Sequence, residues 1–567
     1  MRWGATVLTR ERTRFAMWAP DRAAVALVID GRAPLPMAVE GDGWFAVETD
    51  APAGTRYLFR VGEGLDVPDP ASRAQSGGVH GWSVVVDADA FRWRSDWHGR
   101  PWHEHVIQEI HVGVLGGFRA VIAQLPAIAD IGITAIELMP VAAFAGERNW
   151  GYDGVLPYAP AEAYGSPDDL RALIDAAHGA GLSVLLDVVY NHFGPDGNYL
   201  GAYASGFFHR DVATPWGGAV AVDQPAVARY FVDNALMWLE EYRIDGLRLD
   251  AVHAIANDAF LDAMAGEIRA RCGDRPVHLV LENEHNDADR LGSGRYEAQW
   301  NDDFHNVLHV LLTGETSAYY GDFADRPTER LARCLGEGFI YQGDASANLG
   351  GRLRGRPSAH LPPTAFVAFL QNHDQIGNRA LGERLTVLAD HARLRAATAL
   401  LLLCPQIPLL FMGDESGSET PFLFFTDFHD ELANAVREGR RREFANFAAF
   451  ADEAARAAIP DPNARSTFAA SRPLAGPAAP AWRDLYRRLL AARRAEIVPR
   501  LAGAQAIGAR AVGDKAVVAR WSMADGAVLT LLLNLGDEQV AIGEAGEPFF
   551  AVGEAGAPAS LGAWLKR

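Results

Sequence analysis

Eight short apolar runs, each closing on polar or charged residues and separated by helical periods, constrain this chain most. They lie at 106–113 (VIQEIHVG), 133–140 (ITAIELMP), 182–189 (LSVLLDVV), 245–252 (DGLRLDAV), 277–284 (VHLVLENE), 297–304 (EAQWNDDF, the weakest), 364–374 (TAFVAFLQNHD) and 406–415 (QIPLLFMGDE). Apolar strands alternating with helices imply a parallel sheet buried on both faces. Eight of them is the number a closed (β/α)8 barrel needs. Ser166-Pro167-Asp168-Asp169 supplies an N-cap, a first-turn proline and acids for one intervening helix. Leu170, Leu173, Ile174 and Ala177 then recur at helical spacing, and Gly181 closes the unit. Phe231, Ala235, Trp238 and Tyr242 form a second core stripe before the fourth strand. The apolar stretch 396–412 is broken by Pro405 and Pro408 and reads as a buried helix running into a buried strand.

The flanks differ in texture. Up to about residue 90, RFAMWAP, AVALVID, WFAVET and RYLFRV are separated by Gly, Pro and Asp clusters, as in a small β-sandwich. After residue 505, KAVVARW and AVLTLLLNL suggest an antiparallel β-domain. The expected fold is therefore α/β: a (β/α)8 TIM barrel at 96–490, an N-terminal Ig-like β-sandwich at 1–95 and a C-terminal β-domain at 491–567. An insertion after the third strand, about 190–225, is long enough to be a lid or binding loop, and the Pro/Ala-rich 460–480 reads as a surface crossing.

The chemistry sits where the strands end. Asp187 with Asn191-His192, Arg248-Leu249-Asp250, Glu282 and His373-Asp374 close runs three, four, five and seven. In a parallel barrel the C-terminal strand ends converge on one face, and the period of two points Arg248 and Asp250 the same way. One strand-end acid is as readily a cap or salt bridge. Several on one mouth repel, and such crowding marks a site. Glycosidic cleavage needs one ionised and one protonated carboxyl. Arg248 favours a carboxylate at Asp250, and neighbouring acids favour a protonated Glu282. A retaining mechanism further expects the two carboxyls about 5–5.5 Å apart. Asp374 could hold substrate hydroxyls, with His192 and His373 either as partners or as structural histidines.

DVVYNH (187–192), GLRLDAVH (246–253), LENE (281–284) and FLQNHD (369–374), with WGYDG (150–154) and FMGDE (411–415), resemble in order six segments of the α-amylase superfamily of glycoside hydrolases. That resemblance implies a retaining double displacement on α-linked glucose, with Asp250 as nucleophile, Glu282 as acid/base and Asp374 as transition-state stabiliser. It also implies Tyr152 as the stacking platform of the −1 subsite. Segments 68–87, 148–160, 299–315 and 421–444 extend the likeness to the family of malto-oligosyltrehalose trehalohydrolases. The resemblance then implies hydrolysis of the α-1,4 bond beside a terminal trehalose. The chain departs from that pattern in a shorter loop after the first strand (111–118) and at one or two positions after Glu282.

Trp300, Asp302 and Asp303 are candidates for holding the trehalose end, the alternative being a strand terminus that caps the barrel. Phe424, Phe425 and Asp427 are weaker candidates. A net charge of −20 argues against nucleic acid or anionic lipid as partners and suits a neutral glucan. No cofactor and no metal are expected: His103-Glu104-His105 lacks helical zinc spacing, and no carboxylate-rich calcium loop accompanies Asn191. Three widely spaced cysteines and no apolar leader suit a cytoplasmic protein. A glycogen branching enzyme is the nearest rival reading, and a catalytically dead carbohydrate-binding scaffold the other.

Overall fold

The computed structural model describes residues 2–566 apart from positions 63, 215, 216, 256, 293, 451, 542, 544 and 545. Eight parallel strands close into a barrel: β1 (Ile107–Ile110), β2 (Ala135–Leu138), β3 (Ser183–Val188), β4 (Gly246–Leu249), β5 (His278–Leu281), β6 (Ala298–Trp300), β7 (Phe366–Ala368) and β8 (Ile407–Phe411). Each falls inside one of the eight apolar runs. Closure comes from β1 pairing with β8, Ile107 opposite Leu409. Ile107, Ala135, Leu185, Val280, Val367 and Leu409 fill the barrel interior.

The helices form where the punctuation placed them. Pro167–Gly179 starts on a capping box, with the Ser166 side chain accepting from the Asp169 backbone, and buries Leu170, Leu173, Ile174 and Ala177. Pro225–Glu240 buries Phe231, Ala235 and Trp238. His391–Leu403 runs into β8, so the most apolar stretch is a buried helix and strand. Among the described residues, no helix is long and apolar enough to cross a membrane.

Two strands end earlier than the apolar runs suggest. β6 stops at Trp300, and Asp302 and Asp303 open the helix Asp302–Thr313. β7 stops at Ala368, and His373-Asp374 open the helix His373–Gly377, whose cap Asn372 accepts from the Asp374 backbone at 2.9 Å. Short polar side chains compete with the strand ladder for backbone hydrogens, so chain direction changes where they begin.

The N-terminal part forms a four-stranded and a six-stranded antiparallel sheet, and the C-terminal part a five-stranded antiparallel sheet. Trp3 packs edge-on against Tyr230 of Pro225–Glu240, and the Tyr230 hydroxyl donates to the Pro70 carbonyl at 2.6 Å, tying the front sheets to the barrel. The insertion after β3 contains a hairpin, Phe208–Thr214 with Gly217–Val220; positions 215 and 216 lie outside the described residues. It too braces the front sheets: the Ser205 backbone donates to Asp21 at 2.6 Å. The stretch 460–480 is not a bare crossing, since it contains the helix Arg465–Ala470.

Candidate active site

The period-two geometry of β3, β4 and β5 sets the centre of the site. Register places Asp187 beside Arg248, and Leu249 beside Leu281. Arg248 points into the barrel mouth, fully buried, above the Trp300 ring with 4.1 Å from guanidinium carbon to ring centroid. Its Nη1 donates to Asp187 Oδ1 and Oδ2 at 2.8 and 2.7 Å and to Asp250 Oδ1 at 2.8 Å. Its Nη2 lies 3.0 Å from Glu282 Oε2. One guanidinium thus touches both carboxyls of the expected pair.

Each carboxyl has its own second hold. Asn191 donates to Asp250 Oδ2 at 2.8 Å and to the Asp250 carbonyl at 2.9 Å. Glu282 Oε2 accepts the Ala251 N–H at 2.7 Å. Ala251 has φ of 41°, a left-handed conformation that a non-glycine residue adopts at a cost. The strain aims that N–H at Glu282.

Burial and surrounding charge divide the acids by protonation. Burial pushes the Glu282 carboxyl well above the usual range; Arg248 opposes, while Asp250, Asp374 and Asp302 add to it. Burial likewise raises Asp302 to about 7, against the pull of Arg354 and with Asp374 adding to the rise. For Asp374 burial acts upward too, but the His373 charge and hydrogen bond outweigh it and hold the group at about 2. Burial raises Asp187 to about 6 despite Arg248. Burial and the surrounding acids thus favour the protonated form of Glu282, while His373 favours a carboxylate at Asp374.

These groups surround an open cavity of about 550 Å³. Tyr152, His192, Asp250, Glu282, His373 and Asp374 all line it. The Tyr152 ring stacks on His373, centroids 5.1 Å apart, and its hydroxyl donates to Asp187 Oδ2 at 2.5 Å. His192 Nε2 lies 2.9 Å from the Tyr152 carbonyl. Among the described residues of the 190–225 insertion, His192 lines the cavity; the rest of the insertion does not form a lid over it. Trp150 forms part of the wall, and Gly377 must be glycine there, since a Cβ would stand 2.1 Å from the Trp150 ring.

Asp302 lines the cavity, but Trp300 and Asp303 do not reach it. Trp300 is 1% exposed and serves as the floor under Arg248. Asp303 is fully buried and anchors the segment after Phe339: its Oδ2 accepts from the Ile340 and Tyr341 backbone at 2.7 and 3.1 Å and from Asn286 at 2.9 Å. Both are supports: Trp300 ends β6 inside the barrel, and the helix starting at Asp302 turns Asp303 away from the cavity. Phe425 is buried as well, and Asp427 is bound by Arg148 and the Glu147 backbone, 2.8 Å to the latter.

The far wall was not foreseen. Tyr319, Phe323, Asn348 and Arg354, all from the chain between β6 and β7, face the cavity. They come from a segment without strong periodicity, so nothing in the local pattern marks them. Asn191 was legible only as a residue near a strand end, not as the clamp on Asp250. Among the described residues, no group of three or more His, Cys, Asp or Glu side chains is arranged to hold a metal ion.

Comparison with known proteins follows the same outline. Residues 76–211 match the alpha amylase catalytic domain, and 504–564 a domain of unknown function, DUF3459. The malto-oligosyltrehalose trehalohydrolase of Deinococcus radiodurans is 42% identical over 97% of this chain and 92% of its own. That of Rhizobium sp. is 38% identical over 94% and 92%. The crystal structure of an α-amylase-like protein from Salmonella typhimurium superposes with a TM-score of 0.94 at 45% identity, covering 100% of this chain and 99% of that one. A 1,4-alpha-glucan branching enzyme of Streptomyces coelicolor matches only 44% of this chain and 38% of its own, at 36% identity.

Proposed function

The chain belongs to the malto-oligosyltrehalose trehalohydrolases, a family of the α-amylase superfamily, and from that premise we propose a residue-by-residue course for the release of trehalose from malto-oligosyltrehalose. The single observation that carries it is the Arg248 bridge, which holds an ionisable Asp250 and a protonated Glu282 side by side at one cavity. Asp250 attacks the anomeric carbon of the glucose next to trehalose. Glu282 gives its proton to the departing glycosidic oxygen, so trehalose leaves neutral. The ester between Asp250 and the glucan is then opened by water, whose proton returns to Glu282, and the configuration at carbon is retained. Asp374 accepts hydroxyls of the same sugar, and its charge favours the oxocarbenium-like transition state. Tyr152, stacked and hydrogen-bonded, is the apolar face against which that sugar lies.

Asp302, with Arg354 and Tyr319 on the same cavity wall, supports a reading in which these residues hold the trehalose end. A neutral glucan is the partner that an acidic chain tolerates, and three free cysteines suit the cytoplasm.

The test is paired incubation with maltotetraosyl trehalose and maltohexaose. Trehalose release from the first, with little action on the second, is expected. Equal rates would reduce the reading to a general α-amylase, and new α-1,6 branches on amylose would replace it with transglycosylation.

A further inference from the structure

Beneath the cavity lies a glutamate that the proposed reaction leaves unused. Glu109, on β1, is 1% exposed and points into the barrel. It grips His373 at two points: Oε1 stands 2.5 Å from the ring Nδ1, and Oε2 accepts the His373 backbone N–H at 3.0 Å. The other ring nitrogen, Nε2, faces Asp374 Oδ1 at 3.4 Å. A carboxylate can only accept, so a ring set between two carboxylates is satisfied on both sides only with a proton on each nitrogen. The ring cannot turn away from this arrangement. Tyr152 stacks on it and Trp150 meets it edge-on, centroids 5.6 Å apart.

We propose that Glu109 is a positioning residue for the reaction: it fixes His373 as an imidazolium whose Nε2–H is always presented to Asp374 and to the bound sugar. This rests on the reading of Asp374 as a participant in glycoside cleavage. The pairing also manages charge. An unpaired imidazolium would oppose the positive charge that develops on the sugar, whereas the Glu109–His373 pair is neutral overall and leaves Asp374 its full negative charge.

The groups around His373 are consistent with this division. Burial disfavours the ring's charge, but Asp374 and Glu109 outweigh it and raise its pKa well above the ordinary histidine range. His111, just after β1, is pushed down to about 4 by burial, so it is neutral and does not compete. Glu137 on β2 stands beside Glu109 in the sheet; burial, with the charges of Glu109 and Asp187, pushes it well up, and neither of its oxygens has a hydrogen-bond partner among the described residues. Tyr152 is uncharged, burial raising its hydroxyl well above the usual range. Arg248, from β4, acts on the same Asp374. Of the two barrel glutamates, Glu109 is the one hydrogen-bonded to the ring.

The test uses the full chain labelled with [15N]histidine, His373 signals being assigned by their loss in His373→Gln. In the unmodified protein both ring nitrogens should remain protonated well above the pH at which an ordinary histidine titrates, and in Glu109→Gln the ring should lose a proton at least about one pH unit lower. Glu109→Gln should lower kcat roughly tenfold or more with a smaller change in KM, yet change kcat less than about twofold in a His373→Gln background. A ring that is neutral near pH 7 in the unmodified protein overturns the proposal, as does an unchanged ring titration in Glu109→Gln or an equal loss of kcat in both backgrounds. If Glu109→Gln does not fold, the titration of the unmodified protein decides alone. That titration needs no substrate, so a wrong assignment of the reaction would show in the product analysis and leave this result standing.

Discussion

The backbone N–H of Ala251 donates to Glu282 Oε2 at 2.7 Å, so the residue that follows one carboxyl of the pair holds the other. β4 and β5 deliver these groups already coupled: Glu282 N donates to the Leu249 carbonyl, and Val252 N to the Glu282 carbonyl, both at 3.0 Å. The coupling depends on φ of 41° at Ala251. A β-branched side chain is poorly tolerated there. Ala251→Val is expected to cost a further ~1–3 kcal/mol in stability and to lower kcat with the Glu282 carboxyl displaced. Urea unfolding and steady-state kinetics together check it; a stable, fully active variant would mean the strain has no part in placing Glu282.

Glu282 and Asp250 should separate kinetically. Glu282→Gln removes the proton donor, and the expected loss of kcat is about 10²–10⁴-fold on malto-oligosyltrehalose. A glycosyl fluoride needs no protonated leaving group, so the same variant should form the covalent intermediate from it almost normally. Asp250→Asn should lose activity on both substrates, since both need its attack on the anomeric carbon.

Arg248 is buried among Asp187, Asp250 and Glu282, at 2.7, 2.8 and 3.0 Å. Removing the cation leaves buried carboxylates without their counter-charge, which typically costs about 3–5 kcal/mol. Arg248→Met should be destabilised to that extent, and adding Asp187→Asn should restore part of the stability without restoring activity. Thermal unfolding of the two variants measures this; if the second substitution restores nothing, the charge balance assigned to the cluster is wrong.

Barrel topology and the positions of Asp250 and Glu282 were readable because both rest on short periods, whereas Asp374 reaches the mouth from the helix after β7. Apolar runs of four to eight residues mark strands, and a strand's last inward positions must point at the mouth. Glu109 and Glu137 obey the same rule, as acids inside the apolar runs QEI and IEL, yet they lie within the strands rather than at their ends. Trp300 and Asp303 failed as substrate contacts for a different reason. The strand ended one residue before Asn301, and the helix that followed turned Asp303 into the core, where backbone hydrogens of residues 340 and 341 occupy it. Tyr319, Asn348 and Arg354 had no periodic signal, because a wall built from turns is specified by long-range contacts such as Asp322 to the Ala347 backbone at 3.0 Å.

Asp302 gives a stability signature with a definite sign. Its ordinary value is 3.8, and burial, with Asp374 and Asp303 adding, raises it to about 7 in the folded chain. Between about pH 4 and pH 7 the folded state therefore holds more protons at this site than the unfolded state, and stability falls as pH rises through that window. Asp302→Asn cannot titrate and should escape the fall. Relative to the unmodified protein it is expected to gain roughly 1–3 kcal/mol at pH 8 and nothing near pH 3–4. Urea midpoints at the two pH values check this, and an equal gain at both would trace the effect to packing.

Tyr319 closes the set. It is 43% exposed at the cavity wall, unusual for a ring of that size, and among the described residues its hydroxyl reaches only Tyr320, at 3.4 Å. The ring is nevertheless held firmly. Tyr320 beside it stacks on His309 with centroids 4.0 Å apart, and His309 is bound to Glu315 at 2.8 Å, which Arg379 also holds at 2.8 Å. A rigid, exposed aromatic face on a sugar-sized cavity offers stacking area with little entropy left to lose on binding. Loss of a stacked sugar is worth about 0.5–1.5 kcal/mol, so Tyr319→Ala should raise KM for malto-oligosyltrehalose roughly 3- to 10-fold. Because the ring lines the cavity without a contact to Asp250 or Glu282 among the described residues, kcat should stay within about twofold. Tyr319→Phe keeps the face and should keep the KM; if it loses as much as Tyr319→Ala, the hydroxyl rather than the ring meets the substrate.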